Sequence, residues 1–372
     1  MLHFAARFFY NNIYIAVIVC IILAAKKILK DHLSERLQYN LWFLLLFLLG
    51  IPLLPSRLPG FLQIFTRIFS SGGTSVRLSA DDGQIFAKGT QTTAMDLIND
   101  FSVSVNHKAA SVSCSIFLGV WFAGIAIMVL VTLRARLRLY QIEKSSLPLQ
   151  NPAIHELFAA CRSEMGIQKN IPVYTTAYLN SPIMTGIIHP HIYLPLHLVS
   201  DFNRDKGLQN LHLGMSGSRD KSSQALRYML LHELQHYKHK DSLVNCAASL
   251  FRIIYWFNPA VRRGLREMQN DREIACDSSV LKMLNKAEYK DYGNTLINFA
   301  EKLSRPEFPF VSGMGGDMRQ IKRRILNIVS YRPLTFGRKF KGIVIYCLIA
   351  ALLLGLAPVL FAYASEENTY QM

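Results

Sequence analysis

Four long apolar runs constrain this chain more than anything else in it: Phe8 to Ala25, Leu37 to Leu54, Ser111 to Leu133 and Ile343 to Ala364. Each has about the 17–25 residues that a helix needs to cross hydrocarbon, so the expected fold is membrane α-helical with four transmembrane helices. Basic clusters set the orientation. Lys26, Lys27 and Lys30 follow the first run, Arg134, Arg136 and Arg138 follow the third, and Arg338, Lys339 and Lys341 precede the fourth. Basic residues mark the cytoplasmic ends of spans, which puts the N-terminus, the 55–110 loop and the tail outside. The first run is not a secretory signal, because its basic residues follow the apolar stretch instead of preceding it. Three regions result. Residues 1–133 hold three transmembrane helices with an extracytoplasmic loop at about 55–110, 134–341 form a cytoplasmic domain, and 342–372 hold the fourth transmembrane helix and a short external tail.

The net charge of +16 over 372 residues, with a mean hydropathy of +0.20, suits an integral membrane protein with basic cytoplasmic loops. It does not suit a nucleic-acid binder: no helix-turn-helix, zinc-finger spacing or RNP-like run accompanies the charge, and no direct nucleic-acid binding is expected. Six scattered cysteines show neither C-x-x-C nor paired spacing, so neither a disulfide framework nor a cysteine-based zinc site is indicated. The 55–110 loop, rich in Gly, Ser, Thr and Asp, reads as loosely structured.

The chemistry is gathered in the cytoplasmic loop. Asn151 to Gly166 predicts a helix capped by Asn151 with Pro152 in its first turn. Residues 171–176 predict a strand, and Ser181 to Pro195 a β-hairpin turning near His189-Pro190. Residues 203–222 read as a polar linker. Then comes Leu231-His232-Glu233-Leu234-Gln235-His236, an H-E-x-x-H on a helix from about Ser223 to Lys238. Residues four apart share a helical face, so His232 and His236 can grip one Zn²⁺, one ion per chain. Glu233 is placed to take the proton of the attacking water. His155-Glu156 begins the same pattern but lacks its second His. Asp241 to Phe257 is short and interrupted by Asn245 and Arg252, and is expected to be a core or interface-lying helix packed on the membrane rather than a span.

A catalytic zinc site needs a third protein ligand. His239 follows His236 by three but lies among lysines and reads as an exposed histidine. Downstream, Glu273 and Asp277 are four apart in a helix-like run. Glu273 can reach the metal while Asp277 accepts a hydrogen bond from the far nitrogen of a ligand His. A solvated acidic face is the plain alternative.

Taken in order, Ser181-Pro182, Gly186, Pro190-His191-Ile192-Tyr193-Leu194-Pro195, Leu231-His232-Glu233-Leu234-x-His236, Asp241, Trp256-Phe257-Asn258-Pro259 and Glu273-x-x-Cys276-Asp277 resemble the integral-membrane zinc peptidases of the BlaR/MecR antirepressor type, over about residues 1–364. The resemblance implies a cytoplasmic α+β zincin-like (gluzincin-type) domain, with His232, His236 and Glu273 as zinc ligands, Glu233 as base and Asp277 behind the ligands. It implies a bacterial cell-membrane location, an external signal, and cleavage of a cytoplasmic protein, a transcriptional repressor, in the regulation of β-lactam resistance. It also implies self-cleavage, expected between about 311 and 324, in the stretch holding Ser312, Arg323 and Arg324. Lys322, Arg323 and Arg324 equally suit a helix resting on anionic lipid. Besides the bilayer and the substrate, a homodimer is a further expected partner. Only Ser365 to Met372 follow the fourth run, without a penicillin-binding-like domain or its S-x-x-K. The expectation is a shortened sensor or a stand-alone member with another input.

Two other readings compete. One is a catalytically weak signalling receptor with a structural zinc site. The other is a transporter, disfavoured because no apolar run carries central ionisable residues. An oxyanion donor is sought among Arg272, Tyr289 and Tyr292.

Overall fold

The computed structural model describes residues 2–28, 33–50, 107–211, 221–304, 318–333 and 336–355. The apolar runs fall on helices α1 (Leu2–Ile28), α2 (Glu35–Gly50), α3 (His107–Lys144) and α11 (Phe336–Gly355). Residues 51–54 and 356–364 of those runs, and most of the 55–110 loop, lie outside the described residues. Of the described helices, α3 contains the one stretch long and apolar enough to cross a membrane, Ser115–Lys144, and Phe340–Leu353 is a shorter apolar helix. The third helix begins at His107, inside the region expected to be loop.

Between α3 and α11 the chain forms a small sheet wrapped by helices. The strands are β1 (Leu147–Pro148), β2 (Val173–Thr176), β3 (Ile183–Thr185) and β4 (His191–Pro195), in the order β1-β2-β4-β3. β2 and β4 are parallel, and the two outer pairings are antiparallel. The expected hairpin is present, with Ile183 opposite Tyr193 and Thr185 opposite His191. Its turn needs Gly186: φ is +88°, and a Cβ there would lie 2.0 Å from the His189 carbonyl oxygen.

The helices are α4 (Pro152–Glu164), α5 (Leu196–Leu211), α6 (Lys221–Lys238), α7 (Asp241–Ile254), α8 (Pro259–Leu281), α9 (Glu288–Ser304) and α10 (Met318–Ser330). Asn151 caps α4 as its sequence indicates, its Oδ1 accepting from the amides of Ala153 and Ile154. Residues 203–211 continue α5 and are not linker. α6 carries the H-E-x-x-H and packs its Leu226, Leu230, Leu231 and Leu234 into the core.

There are two hydrophobic cores, and α8 belongs to both. Ile18, Val19, Ile22, Trp42, Leu45, Leu48 and Phe251 build the first together with Val261, Leu265 and Met268 of α8. Ile154, Phe158, Ile192, Leu194, Leu230, Leu234 and Tyr292 build the second together with Val280 and Leu281 of α8.

Of the two readings its sequence allowed, α7 takes the core one, with Ala248 and Phe251 in the first core. With α8 it forms a hairpin inserted among α1, α2 and α3. At the tip, Trp121 Nε1 donates to the Ile254 carbonyl (3.0 Å), the Tyr255 hydroxyl to the Leu49 carbonyl (2.9 Å), and Asn258 Nδ2 to Asn12 Oδ1 (3.0 Å). Asn258 also caps α8 through the amides of Ala260 and Val261. At the base, Asp271 pairs with Lys26 and accepts from Trp42, while the Tyr39 hydroxyl lies 3.5 Å from Asp241. Asn12 and Lys26 are 14 residues apart on one helix, so tip and base differ by roughly 20 Å along the bundle. Of the polar groups that argued against insertion, Asn245 accepts a hydrogen bond from Arg272 of α8.

Candidate metal centre

The site forms where α6, α7, α8, α9 and α10 meet below the base of this hairpin. His232 and His236 project from successive turns of α6 and turn their Nε2 atoms toward one oxygen of α8. Glu273 Oε2 lies 3.4 Å from His232 Nε2 and 3.7 Å from His236 Nε2. These three donors converge within 4.8 Å of one another, close enough to share an ion.

The opposite nitrogens are tied down. His236 Nδ1 lies 2.7 Å from Asp241 Oδ2. Lys240, in the left-handed region at φ +56°, turns the chain sharply out of α6 and delivers Asp241 there. His232 Nδ1 faces Asp277 Oδ1 at 3.3 Å and the Tyr292 hydroxyl at 3.2 Å, and that hydroxyl donates to Asp277 at 2.6 Å. With Nδ1–H donated to a carboxylate, each imidazole keeps its Nε2 lone pair for a cation.

Charge supports the same reading. Burial opposes ionisation of Glu273, yet the His236 and His232 imidazoles and the Arg324 guanidinium outweigh it and hold the carboxyl well below its usual range. Burial likewise works against charging either imidazole. Asp277 and Glu273 nonetheless raise His232, and Cys276, Glu273 and Asp241 raise His236. A pocket that draws protons onto two buried histidines is one that favours a cation between them. The donor set of two imidazole nitrogens and a carboxylate oxygen suits Zn²⁺.

Glu233, next to His232, lines a cavity of about 430 Å³ with Ser181, Pro182, Ile183, Met184 and the three donors. Burial pushes its carboxyl up, only partly offset by His236 and His232. This disposes it to accept a proton.

Sequence reasoning had no means of assigning Arg324 a place here. Expected at a cleavage segment or on lipid, its side chain instead enters the site from α10. Nε and Nη2 each donate to Asp277 at 2.7 Å, and Nη1 lies 3.7 Å from Glu273 Oε2. Asp277 is fully buried, and although burial raises its pKa, Arg324 brings it down to about 2. Arg323 points away to Glu267 (2.8 Å) and remains 44% exposed. Ser312 lies outside the described residues.

The other candidates separate cleanly. Arg272 lines the cavity, but two of its nitrogens lie 3.1 and 3.4 Å from Glu273 Oε1 and a third is bonded to Asn245. Tyr292 stands behind His232, and Tyr289 packs edge-on against Tyr331, outside the cavity lining. His239 is half-buried rather than exposed. Its Nδ1 lies 3.8 Å from Cys276 Sγ, and burial with the nearby Arg36 pushes it down to about 4. It is not among the converging donors. Cys276 sits 3.3 Å from His236 Nδ1, its thiol pushed up to about 11 by burial.

A profile of the BlaR1 peptidase M56 family matches residues 6–208 and 215–328. Regulatory protein BlaR1 of Bacillus licheniformis is 30% identical over 273 residues, covering 73% of this chain and 42% of that protein. The methicillin resistance mecR1 protein of Staphylococcus aureus (strain Mu50) is 27% identical over 274 residues, 72% of this chain and 43% of the relative. Regulatory protein BlaR1 of Staphylococcus aureus is 29% identical over 148 residues, 39% of this chain. The chain therefore spans less than half the length of the curated relatives it matches. The family is one of membrane metallopeptidases, and His232, His236 and Glu273 fit its H-E-x-x-H with a downstream Glu. Because the match runs through both cores and all five helices of the site, the chain belongs to the BlaR1 peptidase M56 family.

Proposed function

We propose that this chain is a membrane-embedded zinc endopeptidase of signal transduction, cleaving a cytoplasmic protein, itself, or both. The carrying observation is the convergence of His232 Nε2, His236 Nε2 and Glu273 Oε2 beside Glu233 at one cavity wall. In this reading His232, His236 and Glu273 hold one Zn²⁺ per chain. A bound Zn²⁺ supplies Lewis-acid polarisation of the scissile carbonyl and lowers the pKa of a water ligand toward about 7. Glu233 takes the proton of the attacking water and passes it to the leaving amine. Asp241 and the Asp277–Tyr292 pair keep both imidazoles in the Nδ1–H tautomer throughout.

The sheet supports a peptidase over a structural zinc site. β3 is an edge strand, paired on one side with β4, and Ser181 to Met184 line the cavity. An extended peptide can add beside it and bring one peptide bond to Glu233. Four transmembrane helices, with residues 134–341 on the cytoplasmic side of a bacterial cell membrane, place that edge where a repressor-like substrate is available. The names of the relatives connect such proteins with methicillin resistance and regulation. Within the 311–324 stretch, the bond between Arg323 and Arg324 is inside α10 and would need the helix to unwind before it is cut.

Zinc stoichiometry of the detergent-solubilised protein tests the ligand set. One zinc in the wild type and in His239→Ala, lost in Glu273→Ala, supports it. Fragment formation by the wild type but not by Glu233→Gln, with zinc retained, supports catalysis. A Glu233→Gln variant that still cleaves would leave a zinc-stabilised receptor as the better account.

A further inference from the structure

The zinc reading uses His236 through Nε2 and treats the other edge of the ring as a support. That edge has donors of its own. Cys276, one turn after Glu273 on α8, brings Sγ to 3.3 Å from His236 Nδ1 and 3.6 Å from Asp241 Oδ2. Asp241 Oδ2 in turn lies 2.7 Å from the same Nδ1. All three donor atoms fall within 4.8 Å of one another. His239 Nδ1, 3.8 Å from the sulfur, stands just beyond them. One turn of α8 thus presents a carboxylate to one edge of the His236 imidazole and a thiol to the opposite edge.

The separations are those of a coordination sphere. Bonds of about 2.3 Å to sulfur and about 2.0–2.1 Å to nitrogen or oxygen, at tetrahedral angles, put ligand atoms roughly 3.3–3.6 Å apart. Both sulfur distances already have that value. Only the pair His236 Nδ1 and Asp241 Oδ2, drawn together by a hydrogen bond, has to open by roughly 0.6 Å. The charges match as well, since a thiolate and a carboxylate together offset a divalent ion. Asp241 can give Oδ2 to the ion while Oδ1 keeps the Tyr39 hydroxyl at 3.5 Å. Cys276 and Asp241 are buried, whereas His236 and Asp241 line the cavity and give an ion its way in. The proposed proteolysis has no use for the thiol.

We infer that Cys276, Asp241 and His236 Nδ1 form a second site, for a thiophilic divalent ion such as Zn²⁺ supplied in excess. A neutral imidazole has one lone pair to give. With Nδ1 on an ion, Nε2 carries the proton and cannot hold the ion shared with His232 and Glu273. The two positions are therefore alternatives on either side of one ring, and filling the second disarms the first. The second is the weaker, because it fills only at the expense of the Nδ1–H bond to Asp241 and of the thiol proton. The alternation rests on the proposed zinc ligands; the second site itself does not.

Cobalt(II) tests it, because thiolate ligation gives Co²⁺ a near-ultraviolet charge-transfer band that nitrogen and oxygen ligands do not. The metal-free, detergent-solubilised full chain is titrated with excess Co²⁺ as wild type, Glu273→Ala, Cys276→Ser and Glu273→Ala/Cys276→Ser. In Glu273→Ala, where the competing position is impaired, the band is expected with one cobalt per chain. In the wild type it is expected only at about tenfold higher free Co²⁺ or more, which keeps the test open if Glu273→Ala does not fold. Both Cys276→Ser proteins are expected to lack it. A band of undiminished strength after Cys276→Ser overturns the site in favour of another cysteine. No band in either wild type or Glu273→Ala at millimolar Co²⁺ overturns it in favour of a hydrogen-bonded cluster only. Two cobalt ions per wild-type chain with the band present overturns the alternation. A band in Glu273→Ala beside a wild type that takes up no first ion would sink the proposed zinc ligands and leave this site standing.

Discussion

Removing the Arg324 guanidinium would strip a fully buried carboxylate of its counter-charge. Asp277 has no exposed surface and takes both short guanidinium hydrogen bonds of Arg324. Its pKa of about 2, against 3.8 when unperturbed, corresponds to roughly 2–3 kcal/mol favouring the charged, folded form. Arg324→Ala loses that and leaves the buried carboxylate only Tyr292 and His232 as partners, so breaking the pair costs about 3–5 kcal/mol. With a urea dependence of about 2 kcal/mol per molar, the unfolding midpoint of the peptidase half falls by about 1.5–2.5 M. Limited proteolysis across a urea series at pH 7, in chelator so that metal release does not contribute, measures it. Arg323→Ala is the control: its pair with Glu267 is largely solvated and contributes at most about 1 kcal/mol.

The sign with pH is fixed as well. The folded pKa of Asp277 in the wild type is depressed, so its contribution is fully present above about 3.8 and disappears as pH falls through about 2. In Arg324→Ala only His232 and the Tyr292 hydrogen bond still oppose burial, so the folded pKa rises above its wild-type value. The deficit of the variant relative to wild type therefore shrinks as pH falls toward about 2. A midpoint shift below about 0.5 M, or equal losses in Arg323→Ala and Arg324→Ala, would refute the claim that Arg324 holds the site together.

Other outcomes follow from the same geometry. Glu233→Gln is expected to lower the cleavage rate by about 10²–10⁴-fold with zinc content unchanged, read from fragment yield beside metal analysis. Asp241→Asn and Tyr292→Phe each disturb the partner of a candidate ligand's Nδ1 and should weaken zinc about 10–100-fold in a chelator competition, whereas His239→Ala should not. Gly124→Ala places a methyl carbon about 2.1 Å from the Trp256 ring. It should displace the hairpin tip at a cost of about 1–3 kcal/mol, seen as a lower melting midpoint and an altered tryptophan spectrum. Asn258→Ala removes the cap of α8 and its bond to Asn12, so a loss of about 1–2 kcal/mol is expected in the same melt.

Local rules made much of this molecule legible in advance. A helical period of 3.6 residues puts His232 with His236, and Glu273 with Asp277, on common faces wherever those helices pack. The cap at Asn151-Pro152 and the hairpin around Gly186 are equally local, each fixed by a few neighbouring residues. The described parts of the apolar runs are helical, and one of those helices, α3, is long and apolar enough to cross a membrane.

What the sequence could not rank were contacts between residues far apart in the chain. Arg324 reaches Asp277 across 47 positions, Lys26 reaches Asp271 across 245, and Asn258 meets Asn12 across 246. Along the chain, Arg323 and Arg324 are indistinguishable neighbours, and only the 100° turn between them on α10 sends one to solvent and the other into the site. Likewise the sequence left α7 open between a core and an interface-lying helix, because composition counts polar groups but does not show where their hydrogen bonds go. Pattern thus determined which residues share a face, and tertiary packing decided which faces meet. That second choice depends on shape and charge complementarity between distant segments, which no local period encodes.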